Sequence, residues 1–147
     1  MSIYRRIVKL PVSAARAFAW HEEEGAFEKL TPPWEKIEVL KAEGGIAVGA
    51  FIEVKVSVLG PIYIKARYRH TDYKEGTLFV DEQEKGPFLS WRHEHRFRDV
   101  GEGCSELDDH IEFVAPFGSA WLVKRRLERM FSFRHEVTLR ELSADDI

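Results

Sequence analysis

The chain contains a single cysteine, Cys104, so no disulfide can form within it. A lack of disulfides is typical of a reducing compartment, and the sequence therefore predicts a cytoplasmic protein. Long apolar runs are also absent. Charged residues interrupt the N-terminal segment, and no stretch approaches the roughly 18 consecutive apolar residues of a membrane span. We expect neither a cleaved leader nor stable membrane insertion.

Strong charge of one sign is absent too. The formal net charge is -3, so the chain as a whole generates no field that would collect nucleic acid or anionic lipid nonspecifically. There is no glycine-rich phosphate loop, no Gly-x-Ser-x-Gly nucleophile turn, no zinc-finger spacing and no internal repeat. Kinase, dehydrogenase, serine-hydrolase and nucleic-acid-binding functions are left without support.

What is present is the composition of one globular domain. The chain has 147 residues, of which 44% are hydrophobic and 32% charged, enough to bury a core without disulfides or metals. Two independent domains would each be small. Residues 1–147 are therefore predicted to form a single domain.

The N-terminal third alternates between strand and helix signals. A β-rich run from Ile3 to Leu10 is followed by Ser13, a residue type that caps helix N-termini. A second helical stretch, residues 21–29, stops at Pro32 and Pro33, because proline cannot continue a helix. Trp34 is predicted to start the next strand.

The middle of the chain has the pattern of hairpins. Runs with alternating apolar and polar residues, such as residues 50–58 and 62–69, predict six strands of an antiparallel meander with one buried face. The turn signals between them are Glu43-Gly44-Gly45, Leu59-Gly60-Pro61, Lys74-Glu75-Gly76, Lys85-Gly86-Pro87 and Gly101-Glu102-Gly103.

After Pro116 the apolar period becomes helical. Ser119 is predicted to cap a helix that runs to about Leu142, and this helix is the only element large enough to cover the sheet. Its core-facing arc contains Ala120, Val123, Leu127, Met130, Phe131, Val137 and Leu142.

This α+β order resembles the helix-grip fold of the START-like (SRPBCC) superfamily, which includes polyketide cyclases, lipid-transfer domains and coenzyme Q-binding proteins. Four segments are similar to a bacterial branch of cyclase/dehydrase-like proteins: residues 30–34, 79–83, 86–88 and 91–97. Some relatives in that branch are fused to sugar-nucleotide-epimerase-like domains. The resemblance implies a curved antiparallel sheet of about seven strands wrapped around the C-terminal helix, with a cavity between them for a hydrophobic ligand.

Several polar residues are predicted to point into that interior. Strand alternation places His93 and His95 with the aromatic residues of their strand, and it places Asp109 and Asp81 inward on the neighbouring strands. A His-Asp pair can act as general base and orienting carboxylate, it can hydrogen-bond a ligand, or its members can simply satisfy one another. His93, His95 and Asp109 are the catalytic candidates.

The same histidines have a spacing seen in metal sites. Two histidines two residues apart on a strand, with Asp109 or His70 as third ligand, would suit zinc. No cysteine cluster accompanies them, so we predict no metal and no cofactor.

Arg134 is an anomaly, because it falls within the apolar arc of the long helix. Its guanidinium could bind a ligand carboxylate, phosphate or enolate oxygen, it could pair with Asp81, Asp109 or Glu82, or it could extend past the edge of the core into solvent. The predicted ligand-binding residues are Trp34, Tyr68, His70, Asp81, Trp91, His93, His95, Asp109, Met130 and Arg134.

Three functions remain open at this point. The first is binding of a hydrophobic or amphipathic small molecule such as a lipid, quinone, polyketide or isoprenoid. The second is a cyclase or dehydratase reaction that uses the His-Asp pair. The third is a protein-interaction role for the basic helix face formed by residues 124–126 and Arg129.

Overall fold

The structure, a computed structural model, describes residues 1–144. In chain order its elements are β1 (Ser2–Leu10), α1 (Ala14–Glu22), α2 (Ala26–Leu30), β2 (Ile37–Glu43), β3 (Phe51–Leu59), β4 (Ile62–Lys74), β5 (Leu78–Lys85), β6 (Ser90–Gly101), β7 (Cys104–Val114) and α3 (Ala120–Ser143). A short 3-10 turn, Pro116–Gly118, precedes α3. The predicted order of elements and the predicted turns are confirmed.

The seven strands form one antiparallel sheet in the order β1-β7-β6-β5-β4-β3-β2. The sheet is open, with β1 and β2 at its edges. Successive hairpins alternate between the two ends of a meander. Residues 59–62, 85–90 and 114–120 therefore lie at one end, which we call the Phe117 end, and the β2–β3, β4–β5 and β6–β7 loops lie at the opposite end.

Two short helices follow β1 as predicted. The Ser13 hydroxyl accepts a hydrogen bond from the Arg16 backbone N–H at 3.1 Å, which caps α1. Gly25 separates α1 from α2 with a φ of 85°, a left-handed conformation that favours glycine. The prediction that Trp34 starts a strand is wrong: the backbone N–H of Glu35 closes a turn onto the carbonyl of Pro32, and β2 begins only at Ile37.

The long helix α3 has the predicted bounds but not the predicted cap. The Ser119 hydroxyl donates to the carbonyl of Pro116 at 2.7 Å, so its side chain makes no capping bond to the helix. The helix buries Leu127, Phe131, Val137 and Leu142 of the predicted arc. The charged residues predicted outside the arc are exposed: Lys124, Arg125, Glu128, Arg129, Glu136 and Arg140.

The core consists of two apolar clusters under α3. The first joins α1 and α2 to the sheet and the C-terminal half of α3: Leu10, Val12, Ala14, Ala17, Phe18, Trp20, Ala26, Leu30, Phe79, Phe97, Leu107, Val137 and Leu142. The second lies towards the Phe117 end: Tyr4, Ile111, Phe113, Leu127 and Phe131. Neither cluster draws a buried residue from β2, β3 or β4, in so far as the structure describes the chain.

The predicted alternation on β3 and β4 holds only in the middle of the hairpin. Val54 and Ala66 are buried as expected. Ile62, which the sequence placed on the buried face, is exposed, because the β3–β4 hairpin projects beyond the neighbouring strand β5, whose last residue pairs with Arg67.

Phe18 is expected to be a main contributor to stability. Its ring packs against those of Tyr73, Phe79 and Phe97, with centroids 5.3 to 5.8 Å apart. Phe18→Ala should lower the free energy of unfolding by about 3 to 5 kcal/mol, measured by urea denaturation. Phe117→Ala, at a fully exposed phenylalanine, is the matched control and should change it by less than about 0.5 kcal/mol. Equal effects would contradict this assignment of the core.

Candidate functional site

A buried polar layer separates the two apolar clusters. On β7, Leu107 belongs to the first cluster and Ile111 to the second, and Asp109 lies between them. On β6 the layer contains His93 and His95, which are both buried. Strict strand alternation explains why these side chains share the inner face. The predicted inward direction of His93, His95, Asp109 and Asp81 is therefore seen in the structure.

The carboxylate of Asp109 is the centre of the layer. His93 Nε2 lies 2.7 Å from its Oδ1, and His135 Nε2 lies 2.5 Å from its Oδ2. His95 Nδ1 is 3.3 Å from Oδ1. One carboxylate thus receives three imidazoles, two from the sheet and one from α3. Such hydrogen bonds stabilise a charge that burial alone would penalise.

Asp81 on β5 forms the second anionic point. Its Oδ2 is 2.9 Å from His95 Nε2 and 3.7 Å from His93 Nδ1, and its Oδ1 accepts from the Trp91 indole at 3.3 Å. The His93 and His95 rings stack with centroids 3.6 Å apart. Two histidines and two aspartates therefore make a compact square in which each imidazole faces both carboxylates.

His135 is a member of the layer that the sequence prediction missed. The predicted stripe consists of apolar residues and Arg134, although His135 follows Phe131 by four residues and so shares its helix face. Arg6 on β1 lies with Nη1 2.8 Å from His135 Nδ1. Because arginine only donates, Nδ1 must accept, which leaves the proton on Nε2 for Asp109.

The two stacked histidines have opposite protonation behaviour. Burial, reinforced by the charge of His95, lowers the pKa of His93 to about 4. Burial acts the same way on His95, but its hydrogen bonds to Asp109 and Asp81 outweigh it and raise the pKa above the ordinary 6.5. His95 is thus the imidazolium of the pair. Despite burial, the hydrogen bond from His95 and the charges of His93 and His95 hold the pKa of Asp81 at about 2.

Arg134 lies at the edge of this layer without joining it. Its guanidinium carbon is 5.0 Å from the centre of the Phe131 ring, a cation–π contact. Burial lowers its pKa, and the charges of Asp109 and Asp81 act in the opposite direction. Within residues 1–144 its guanidinium makes no hydrogen bond and no ion pair. The predicted pairing with Asp81, Asp109 or Glu82 is therefore not formed in the described part of the chain.

Two further polar residues of β4 lie beside the layer. His70 Nδ1 is buried and makes no hydrogen bond with the described residues, and burial lowers the pKa of His70. Burial, with the charge of Asp81, raises the pKa of Tyr68. The half-buried Tyr68 packs its ring edge-on against Trp91. One unpartnered nitrogen therefore lies on the β4 side of the layer.

The remaining predicted site residues divide between the interior and the surface. Met130 is half-buried against the second apolar cluster. Trp34 is exposed and lies outside the polar layer, where its ring packs edge-on against Phe133 at 5.3 Å with Arg129 above it.

The side chains with metal-ligand geometry are not those that the sequence combined. The nitrogen and oxygen atoms of Asp81, His93 and His95 lie within 4.8 Å of one another. Asp81 thus takes the place that the sequence gave to Asp109 or His70. All three side chains are engaged in hydrogen bonds, so a metal would have to displace the existing square.

Two surface pockets lie away from the space between the sheet and α3. One of about 280 Å³ is lined by residues of α1, α2, the loop between them and the end of α3. The other, of about 480 Å³, lies beside the β2–β3 loop. None of the helices in residues 1–144 is long and apolar enough to cross a membrane.

No protein-family model and no curated protein sequence matches the chain. Several solved structures match the chain by fold. An aromatase/cyclase (Zhui) from a Streptomyces species superposes with a TM-score of 0.74 at 16% identity, covering 97% of this chain and 93% of that one. The chain has the helix-grip fold.

Two other structures agree with this fold. Norcoclaurine synthase from Thalictrum flavum matches with a TM-score of 0.70 at 11% identity, over 95% of both chains. A nucleoside-diphosphate sugar epimerase from Corynebacterium glutamicum matches with a TM-score of 0.71 at 22% identity, over 95% of this chain. This chain spans only 29% of the length of that epimerase. At these identities the likeness concerns the fold alone.

The protonation states can be tested by imidazole ¹⁵N NMR. His93 should remain neutral, with its proton on Nε2, until the pH falls to about 4. His95 should still be more than half protonated at pH 6.5. A neutral His95 and a charged His93 at that pH would contradict the geometry.

The free energy of unfolding should depend on pH through His93 and His95. The contribution of His93 is present above the unfolded pKa of 6.5 and is lost as the pH falls towards 4, because the unfolded chain takes up the proton first. The contribution of His95 is full below 6.5 and is lost as the pH rises through its raised folded-state pKa.

Proposed function

We propose that the protein binds a hydrophobic or amphipathic small molecule noncovalently, between the inner face of β3 and β4 and helix α3, with an anionic or strongly polar group of the ligand at Arg134. The observation that carries the proposal is the half-buried guanidinium of Arg134, which has no ion-pair partner in residues 1–144. A partly buried positive charge costs free energy unless an anion pairs with it.

The polar layer explains why Arg134 stays uncommitted. The two carboxylates whose charges act on Arg134 are those of Asp109 and Asp81. Both already accept hydrogen bonds, from imidazoles and from the Trp91 indole. Their distributed negative charge holds the guanidinium in its charged form, and the Phe131 ring supports it from one side. A carboxylate, phosphate or enolate oxygen would supply the missing hydrogen bonds.

The apolar part of the site would come from β3 and β4. Val54 and Ala66 are buried on the inner face, and Val56 and Ile64 are half-buried there, although none of them belongs to either core cluster. An apolar ligand body would cover these side chains and gain about 25 cal/mol per Å² of buried apolar surface.

Polar residues on β4 support the same location. The Nδ1 of His70 is buried without a hydrogen bond within residues 1–144, and Tyr68, two residues before it, is half-buried against Trp91. The His70 nitrogen and the Tyr68 hydroxyl can each hydrogen-bond a ligand oxygen. Proteins of this fold include an aromatase/cyclase and a norcoclaurine synthase that was solved with a transition-state analogue. Small-molecule recognition is therefore compatible with the scaffold.

The geometry favours binding over the acid-base reaction considered from the sequence. Both nitrogens of His95 face carboxylates, and His93 uses Nε2 on Asp109 while Nδ1 faces Asp81. His95 therefore has no nitrogen free to exchange a proton with a substrate. The unprotonated Nδ1 of His93 is buried and faces the Asp81 carboxylate at 3.7 Å, so it is not exposed to a substrate. The hydrogen bonds among these groups favour the structural role that the sequence left open.

The proposal predicts that Arg134 discriminates an anionic ligand from a neutral one. The probes are 8-anilinonaphthalene-1-sulfonate, which has apolar rings and a sulfonate, and the neutral N-phenyl-1-naphthylamine. Arg134→Gln should weaken binding of the sulfonate about 10- to 100-fold, the value of a charge-assisted hydrogen bond. Binding of the neutral probe should change less than about threefold. Fluorescence titration measures both.

Arg125→Gln is the matched control, because Arg125 is exposed on the outer face of α3, and it should leave both affinities unchanged. Equal weakening of the two probes by Arg134→Gln would contradict an anion contact. Failure of the wild-type protein to bind either probe would contradict the binding function itself.

A further inference from the structure

The Phe117 end of the molecule presents an unusual number of exposed apolar side chains. They come from segments that are far apart in sequence, and their exposed fractions are Leu59 73%, Ile62 55%, Leu89 73%, Phe117 104%, Trp121 61% and Leu122 52%. Isolated exposed apolar residues need no explanation, but a group gathered at one end of a fold is typical of a binding surface.

The topology places these residues together. Leu59 and Ile62 flank the β3–β4 turn, Leu89 precedes β6, and Phe117 lies between β7 and α3. Leu89 is joined to β7 by a hydrogen bond from its backbone N–H to the carbonyl of Val114, at 2.9 Å. The apolar surface therefore spans the β3–β4 and β5–β6 loops and the start of α3.

Phe117 has a backbone conformation that the isolated chain would avoid. Its φ is 54°, the only positive φ of a non-glycine residue within the described chain. A left-handed conformation is unfavourable for a bulky side chain, and Phe117 gains no burial to compensate. Local stability thus does not account for the phenylalanine, whereas contact with an apolar partner would.

The two ends of the sheet differ in charge. Residues 57–65, 85–91 and 114–127, which contain the Phe117 end, the adjoining strand ends and the first turns of α3, have no Asp or Glu. They and the adjoining strand ends carry exposed basic side chains: Lys55, Lys65, Lys85, Lys124 and Arg125. Of the acidic residues near this surface, Glu35 pairs with Arg126, and Glu128 accepts from Tyr4 and faces Arg6. Glu38 is exposed and lies opposite Lys55 in the β2–β3 register.

The opposite end carries charges of both signs. Its loops, short helices and strand ends contain Glu22, Glu23, Glu24, Glu43, Glu75, Asp99, Glu102 and Glu106, and also Lys9, Arg16, Lys29, Lys41, Lys74 and Arg98. Several of these charges pair with one another, as in Arg16–Glu23, Lys41–Glu43 and Arg98–Glu106. The net charge of -3 therefore conceals one basic, apolar end. An anionic surface would attract that end more strongly than the end of mixed charge, which orients the molecule.

We propose that the Phe117 end docks on an anionic lipid surface. The apolar side chains would enter the headgroup region, and Lys124, Arg125 and the lysines of the hairpin ends would contact lipid phosphates. Basic residues beside exposed aromatic and aliphatic ones are the combination that peripheral lipid binding requires. Docking there does not depend on the ligand proposed above, so either proposal can fail alone.

Vesicle binding tests the proposal. The probes are vesicles of phosphatidylcholine alone and of phosphatidylcholine with about one-third phosphatidylglycerol. We expect flotation with the anionic vesicles only, and release as NaCl rises to about 0.5 M. Lys124→Glu with Arg125→Glu should lower the partition coefficient at least about 25-fold, taking about fivefold per basic residue.

The matched control reverses two exposed lysines at the opposite end. Lys9→Glu with Lys74→Glu makes the same change of net charge and should lower the partition coefficient less than about threefold. If both double variants lose binding equally, net charge and not this surface is responsible, and the proposal is overturned.

The apolar contact has its own measurement. Trp121 fluorescence should be quenched by brominated phospholipid in anionic vesicles, and Trp121→Phe should remove that quenching while Trp34→Phe retains it. Phe117→Ser should lower the partition coefficient about tenfold or more with an unchanged thermal midpoint. Absence of flotation by the wild-type protein at low salt overturns lipid docking, as does capture of an acidic protein by this surface without any vesicle binding.

Discussion

The carboxylate of Asp109 is the constraint on which the rest of the interior depends. A buried charge is tolerated only when hydrogen bonds replace its hydration, and here three imidazoles from two different elements do so. His135 can reach Asp109 only if α3 has one particular rotation and height over the sheet. Arg6 extends the constraint to the edge strand β1 by fixing the tautomer of His135. The polar layer thus sets the helix register that the two apolar clusters alone would specify less strictly.

That register has a functional consequence. With His135 on Asp109, the preceding residue Arg134 is half-buried at the edge of the polar layer, where the charges of both carboxylates act on it but neither bonds to it. The protein therefore combines a polar layer whose members hydrogen-bond to one another with a neighbouring cation that has no ion-pair partner within residues 1–144. Strands β2 to β4 contribute no fully buried residue to either apolar cluster within residues 1–144, and His70 Nδ1 on β4 lacks a partner there. The fully buried core and the proposed recognition site therefore lie largely on different strands of one sheet.

The sequence was sufficient for the fold and for the sheet side of the layer. Strand alternation has a period of two, so the directions of His93, His95, Asp81 and Asp109 followed from the pattern of their apolar neighbours. The contribution of helix α3 to the layer was harder to predict from the sequence. His135 is a polar residue on a buried face, and apolar periodicity does not detect it.

The local errors have physical causes of the same kind. Ser119 has a better acceptor in the carbonyl of Pro116 than the helix N-terminus offers, and Trp34 is held in a turn that Pro32 and Glu35 close. Ile62 is exposed because its hairpin is longer than its neighbour. Each of these depends on a contact between segments, which residue type and period do not encode.

The central claim is that the histidines are committed to the fold and Arg134 to the ligand. Imidazole and guanidinium ¹⁵N resonances, followed while 8-anilinonaphthalene-1-sulfonate is titrated into the protein, test it most directly. We expect the Nε signal of Arg134 to shift with the titration, while His93, His95 and His135 keep their protonation states and tautomers. Rearranged histidine signals with an unaffected Arg134 would contradict the account.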